Sequence, residues 1–275
     1  MMSQPVSTAS TVLVTGATDG IGYATARRFV DEGTTVYLHA PDHDSGEEAM
    51  TRMVKDGAEP LRLHLVVADF TRLDEVADLA DMLTLALPRL DMLVNNAAIA
   101  GPERRTSTGD GHEVAFQVNY LAAYLLTTKL APKLASARGR VVNVSSVMHR
   151  GGNIGWNNLA RVHEYSPLAV YAQSKLALTM YTRSLAEASG DSFTALSVHP
   201  GVFRTRLLLV YGHHGRPAEE AAPILTTLCS PTHQVIDGGY YDGLYPAAAA
   251  ALAENPRARG RLAKLTTQLV GSVLD

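Results

Sequence analysis

The chain has one cysteine, Cys229, in 275 residues. That excludes a disulfide framework within the chain and a zinc site built from several cysteines, and it fits a reducing compartment. There is no basic excess. Lys and Arg number 24 against 27 Asp and Glu, a net charge of −3, so nucleic acid is not an expected partner. No window holds the roughly 18–20 consecutive apolar residues of a membrane span. Met1–Ser10 is polar, with neither a basic n-region nor an apolar h-region. The expectation is a soluble, cytoplasmic protein. No repeat with a period of roughly 20–50 residues stands out, and no shift in composition marks a boundary. What is present can build a core: 46% of residues are hydrophobic and 19% charged, which excludes disorder for most of the chain. The length suits a single α/β domain over 1–275.

Short β-rich runs alternate with helical patterns. Strands are expected at Thr11–Thr15, Thr35–His39, Leu61–Val67, Asp91–Asn95, Arg140–Val144 and Phe193–Val198. Helices are expected at Gly20–Glu32, Asp44–Lys55, Leu73–Leu85, Val114–Leu134 and Val170–Ala188, with a short one in the Ala run 247–251 between Pro246 and Pro256. Cys229 lies in an apolar helical run and reads as core. Such alternation implies right-handed βαβ crossovers and a Rossmann-like, doubly wound parallel sheet with helices on both faces. Two stretches break the rhythm, Met148–Leu168 and Val202–Pro217. Each follows an expected strand at the carboxyl end of the sheet, where open α/β sheets bind ligands, so both read as substrate loops.

The first strand runs into Thr15-Gly-Ala-Thr-Asp-Gly-Ile-Gly22 and then a helix. Glycines at 16, 20 and 22 allow a tight turn and close approach of a pyrophosphate, and the helix N-terminus offers N–H groups and a positive dipole end to the anion. Tyr171 and Lys175 are four residues apart on an expected helix and so share a face. A phenol holds its proton near pH ~10. An adjacent ammonium favours the phenolate and brings the phenol toward useful proton transfer at neutral pH. Ser146 ends its strand at the carboxyl edge, where its hydroxyl can donate to a substrate oxygen; no Gly-x-Ser-x-Gly elbow marks it as a nucleophile.

In order along the chain, these segments resemble the short-chain dehydrogenases/reductases: Thr15-Gly-x-x-x-Gly-Ile-Gly22, Asp69, Asn95-Asn-Ala-Ala98, Asn119, Val142-Asn-Val-Ser-Ser146, Tyr171-x-x-x-Lys175, and His199-Pro-Gly201 followed by Thr205. The 25-residue step from Ser146 to Tyr171, with Tyr165-Ser166 just ahead of the tyrosine, and the tail from Glu219 through Gly239-Tyr-Tyr241 to Val270-Gly271 look most like the retinol-dehydrogenase-type branch. The resemblance implies an NAD(P)-dependent oxidoreductase, homo-oligomeric in many members. It implies Asn119, Ser146, Tyr171 and Lys175 as the catalytic set, with Ser146 preferred to Ser145. Asn119 would kink its helix and hold a water linking Lys175 to solvent, and Lys175 would reach the ribose hydroxyls. Around the cofactor it implies Gly16, Thr18, Asp19, Gly20, Ile21, Gly22, Asp69, Asn95, Ala97, Tyr171, Lys175, Pro200, Gly201, Val202 and Thr205, with Asp69 at the adenine.

The choice of dinucleotide rests on the end of the second strand, His39-Ala-Pro-Asp42. By the resemblance, Ala40 stands where NAD-preferring members have Asp, and Pro41 stands where retinol-dehydrogenase-like members have Arg. Asp19 would repel a 2′-phosphate, while His39 or His43 would offset that if protonated. These residues narrowly favour NAD(H) over NADP(H). No metal is expected: His213-His214 lacks a third ligand at recognisable spacing and reads as a solvated loop. Trp156 either lines the substrate pocket or anchors its loop. A roof made of Met148, Ile154, Trp156, Leu159 and Leu207–Tyr211 would select a hydrophobic ketone or secondary alcohol, such as a polyketide or other cyclic intermediate. Three other readings compete. A non-catalytic dinucleotide sensor conflicts with the retained Tyr and Lys. A sugar-nucleotide epimerase or dehydratase calls for a longer chain after Gly201. Protochlorophyllide reduction calls for an active-site Cys near Tyr171.

Overall fold

A computed structural model of the chain describes residues 10–161, 163, 165–207 and 214–274. Eight strands form one sheet in the order β3-β2-β1-β4-β5-β6-β7-β8. They are β1 (Thr11–Val14), β2 (Thr35–Ala40), β3 (Leu63–Val67), β4 (Met92–Asn95), β5 (Arg140–Val144), β6 (Thr194–His199), β7 (Tyr240–Asp242) and β8 (Tyr245–Ala247). All pairings are parallel except β7 with β8. The order reverses between β1 and β4, so the first two crossovers wind one way and the later ones the other. This is the Rossmann-like, doubly wound arrangement.

The helices are α1 (Gly20–Asp31), α2 (His43–Lys55), α3 (Leu73–Ala86), α4 (Val114–Phe116), α5 (Ala122–Ala137), α6 (Pro167–Ser189), α7 (Ala222–Cys229), α8 (Ala251–Glu254) and α9 (Pro256–Val270). Strand residues alternate between two cores because successive side chains leave opposite faces. Leu13 and Val141 pack with α3, α5, α6 and α9 on one face. Val12, Val14 and Val142 pack with α1, α2 and α7, including buried Cys229, on the other. Among the described residues, no helix is long and apolar enough to cross a membrane.

Several boundaries differ from the sequence expectation. β3 starts at Leu63 rather than Leu61, because Pro60–Arg62 forms a 3-10 turn capped by the Glu59 carboxylate, leaving Leu61 exposed. The expected helix over Val114–Leu134 is interrupted by a π turn at Gln117–Leu121 and runs on to Ala137. α6 begins at Pro167, a residue suited to a first helical turn, so Leu168 belongs to the helix and not to the loop before it. The Ala run does not form one helix: Ala247 ends β8, Ala250 is extended, and only from Ala251 is the chain helical. β7, β8 and α9 add to the elements expected from the sequence. Leu208–Tyr211 and His213 lie outside the described residues.

Candidate active site

The carboxyl ends of β1 and β4 diverge at the point where strand order reverses. A cleft of about 390 Å³ opens there, lined by the glycine turn, by His39 and Pro41 at the end of β2, by Asp69, and by Asn96–Ala100 after β4. The turn is packed so tightly that side chains are excluded. A Cβ on Gly16, whose φ is +62°, would lie 2.7 Å from the Ala97 Cα; one on Gly22 would lie 2.2 Å from the Gly16 carbonyl oxygen and 2.5 Å from Asn96 Nδ2. Asn96 clamps the turn by donating from Nδ2 to the carbonyls of Thr15 (2.9 Å) and Gly16 (3.1 Å). The Thr15 hydroxyl accepts from the Asn96 and Ala97 amides at 2.9 and 3.0 Å. Asp19 caps α1 by accepting from the Gly20 amide at 2.8 Å, and its other oxygen lies 3.5 Å from Arg206 in an exposed pair. A bare-backbone cradle at a helix N-terminus fits a dinucleotide pyrophosphate.

His39 is buried beneath this turn. Its Nδ1 accepts from the Gly16 amide at 3.0 Å, so Nε2 carries the hydrogen and donates to the Ala68 carbonyl at 3.0 Å. Burial lowers its pKa to about 4. His39 is therefore neutral, which corrects the expectation that it offsets Asp19 by protonation. It holds the turn instead, stacked on Phe70 with ring centroids 4.1 Å apart. His43 is exposed on α2 beside Glu47. Asp69 lines the cleft, and its carboxylate accepts from the Thr71 amide (2.9 Å) and hydroxyl (2.8 Å).

Thr18, Gly20, Ile21, Ala97 and Thr205 also line the cleft. Asn95 does not. Its Nδ2 donates to Thr127 Oγ1 (2.9 Å) and to Asn143 Oδ1 (2.8 Å), and Asn143 donates in turn to Thr182 Oγ1 at 2.9 Å. This buried chain ties β4 and β5 to α5 and α6. The residue facing the cleft is its neighbour Asn96, which sequence reasoning passed over although it lies one position beyond the strand, where side chains leave the sheet. Pro200 and Gly201 border the inner end, and Val202 lines neither cavity.

That inner end is a narrower cavity of about 50 Å³ between α6, β5 and the segment after β6, bordered by Tyr171, Lys175, His199, Gly201 and Leu207. Tyr171 and Lys175 are each 2% exposed. Lys175 Nζ donates to the Val144 carbonyl at 2.8 Å and lies 5.7 Å from the centre of the Tyr171 ring. Burial lowers the Lys175 pKa from 10.5 to about 7. Ser145 borders the same cavity, but its hydroxyl is paired with Thr179 Oγ1 (2.7 Å) and the Lys175 carbonyl (3.3 Å). Ser146 is fully buried, lines neither cavity, and caps the 3-10 turn Val147–Gly151 by accepting from the Met148 amide at 2.9 Å. Asn119 lies in the π turn. Its Oδ1 accepts from the Ile99 amide (2.8 Å), and its Nδ2 donates to the Ile99 carbonyl (3.0 Å) and to Ser174 Oγ (2.9 Å). The side chain thus ties the turn to the end of β4 and to α6.

The expected roof is only partly in place. Leu207 borders both cavities. Ile154 is instead buried in the core beside α6, and Trp156 and Leu159 pack against that core. The Arg261 guanidinium covers the Trp156 ring at 4.6 Å. Trp156 anchors its loop.

The sequence pattern of the family described as short chain dehydrogenase matches residues 10–210. The chain belongs to this family. Within it, the chain is similar to retinol dehydrogenase 13 of Mus musculus, at 34% identity over 95% of this chain and 84% of the mouse protein. It is 40% identical to mouse polyprenol dehydrogenase over 74% of this chain and 62% of that one. A crystal structure of an uncharacterised protein from Mycobacterium paratuberculosis superposes with a TM-score of 0.79 at 29% identity, covering 95% of this chain and 93% of that chain. The chain is an oxidoreductase of the retinol-dehydrogenase-type branch, in a family that uses NAD(H) or NADP(H).

Proposed function

We propose that this short-chain dehydrogenase interconverts a hydrophobic alcohol and its carbonyl compound, with Tyr171 as general acid and base. The observation that carries the reading is the buried amine of Lys175, fixed by the Val144 carbonyl and 5.7 Å from the Tyr171 ring at the inner end of the cleft. In so dry a setting a positive charge acts strongly on its neighbour, so the protonated form of Lys175, balanced with the neutral amine near pH 7, would stabilise the Tyr171 phenolate. In oxidation, the Tyr171 oxygen takes the hydroxyl proton of the alcohol; in reduction it returns a proton to the carbonyl oxygen. Ser146, buried one residue beyond the Ser145 that borders the inner cavity, would donate from its hydroxyl to the same substrate oxygen, as the family resemblance implies. Asn119 holds the π turn against α6, and a water at that turn would connect Lys175 to solvent.

Gly16, Gly20, Ile21, Gly22 and Ala97 would hold the dinucleotide backbone and Asp69 its adenine. When bound, the nicotinamide supplies or accepts the hydride. NAD(H) is the favoured partner. His39 is neutral, Pro41 offers no cation, and Arg52 is engaged with the Thr18 carbonyl and the Tyr23 ring. An apolar substrate is supported by Ile99, Val118 and Leu207 along the cleft and by relatives named for retinol and polyprenol.

The experiment is a panel of isoprenoid and cyclic alcohols and ketones against a small keto acid, with both cofactors, for wild type and Tyr171→Phe. Apolar compounds should give the higher kcat/KM. Tyr171→Phe should lower turnover by roughly 10²–10⁴-fold while cofactor affinity holds. Wild-type turnover in Tyr171→Phe refutes the mechanism, and preference for the keto acid refutes the substrate class.

A further inference from the structure

The segment leaving Ser146 is held from the C-terminal end of the chain. His149, on the 3-10 turn Val147–Gly151, is fully buried. Its Nε2 accepts from the Ala250 amide at 3.0 Å, so the ring hydrogen is on Nδ1, which donates to the Ser146 carbonyl at 2.7 Å. The ring packs against Tyr240, with centroids 4.4 Å apart. Two contacts flank this link. Arg150 donates to the Ala248 carbonyl at 3.1 Å, and Arg261 of α9 covers Trp156. The turn carrying Ser146 therefore meets the tail at His149 and Arg150, with a further contact at Trp156 in the loop beyond it, and the His149 link is a planar ring with its tautomer set from both ends.

We propose that His149 is a positioning residue through which the tail at Ala250 sets the placement of Ser146. The inference rests on the reading that Ser146 meets the substrate oxygen. The Ser146 hydroxyl takes its direction from the short turn it caps, since it accepts from the Met148 amide. The same turn is fixed at its start by the Nδ1–H bond to the Ser146 carbonyl. A shift of the ring moves that carbonyl, and with it the hydroxyl. Groups that orient a reacting residue from behind matter because a displacement of about 1 Å can lower a rate by as much as ~10²-fold.

The link can be cut from either side. Ala250 has φ −60°, a value proline adopts without strain, so Ala250→Pro removes the amide donor and leaves His149 in place. His149→Asn keeps a donor for the Ser146 carbonyl and loses the acceptor for Ala250. Each should lower kcat about tenfold while the dissociation constants of NADH and NADPH, read by fluorescence titration, stay within about twofold. The double variant should be no slower than either single one, because both remove the same bond. His149→Phe, which loses both bonds, should be slower still. Wild-type kcat in Ala250→Pro and His149→Asn, or a loss confined to cofactor binding, overturns the inference. Ser146→Ala serves as the control. If it keeps wild-type turnover, the catalytic reading fails and this inference with it. If it loses turnover while Ala250→Pro and His149→Asn do not, the inference fails alone.

Discussion

Lys175→Met separates the catalytic use of a buried charge from its effect on the fold. The ammonium is 2% exposed, and burial lowers its pKa from 10.5 to about 7. One pKa unit corresponds to about 1.4 kcal/mol, so the shift amounts to about 5 kcal/mol against the charged form in the folded state. The sign follows from proton uptake. Between pH 7 and 10.5 the unfolded chain binds the proton and the folded chain does not, so wild-type stability rises with pH through that window; below pH 7 the penalty is complete, and above 10.5 it vanishes. Methionine, unbranched and of similar length, fills the space, but it leaves the Val144 carbonyl without its 2.8 Å donor, a loss of about 1–3 kcal/mol. At pH 7 Lys175→Met should therefore be more stable than wild type by about 2 kcal/mol, and at pH 10 less stable by a similar amount. Urea unfolding of both proteins without cofactor at pH 7, 8, 9 and 10 reads this directly. The difference should change by about 1.4 kcal/mol per pH unit, while turnover is lost throughout. Two parallel pH profiles would refute a lowered lysine pKa at this site.

Two further substitutions test the cofactor cleft. Gly22→Ala puts a methyl group 2.2 Å from the Gly16 carbonyl oxygen; it should weaken NADH and NADPH binding together and reduce stability by about 1–3 kcal/mol, and unchanged titration curves would contradict the packing described. Pro41→Arg supplies a cation at the end of β2, and a charge-assisted bond of roughly 1.5–3 kcal/mol should move preference toward NADPH by about ten- to a hundredfold; a wild-type protein already selective for NADPH would show that the cleft edge had been misread.

The doubly wound parallel sheet and the location of the cleft were legible because they depend on local signals. Continuous apolar strands such as Val141-Val142 mark a sheet covered on both faces, and glycines at 16, 20 and 22 mark a tight turn from β1 into a helix. The C-terminal third was far less legible. β7 and β8 are three residues each, too short for a period of two to declare itself. The Ala run has high helix propensity, yet β8 pairs Ala247 with Tyr240, and the Ala250 amide goes to His149 rather than to a helix. Tertiary bonds there override local preference. Ile154 and Trp156 sit in a loop beside the site, which suggests a roof, but a loop without period gives no clue to which way its apolar side chains turn.

The adjacent polar pairs show where sequence reasoning reaches its physical limit. Asn95 and Asn96 are chemically identical, as are Ser145 and Ser146, and each pair stands where a strand ends, β4 at Asn95 and β5 at Val144. Within each pair, one residue is consumed by the frame. Asn95 bonds Thr127 and Asn143 beneath the cleft, and the Ser145 hydroxyl bonds Thr179 and the Lys175 carbonyl. The neighbour is then left for the other face: Asn96 on the glycine turn, Ser146 at the head of the Val147–Gly151 turn. Composition and spacing cannot say which member is which, because a one-residue change of register exchanges their roles. What decides it is the buried partner. Thr127 and Thr182 reach in from α5 and α6, and the π turn at Asn119, pinned to Ile99 and Ser174, stands at the head of α5.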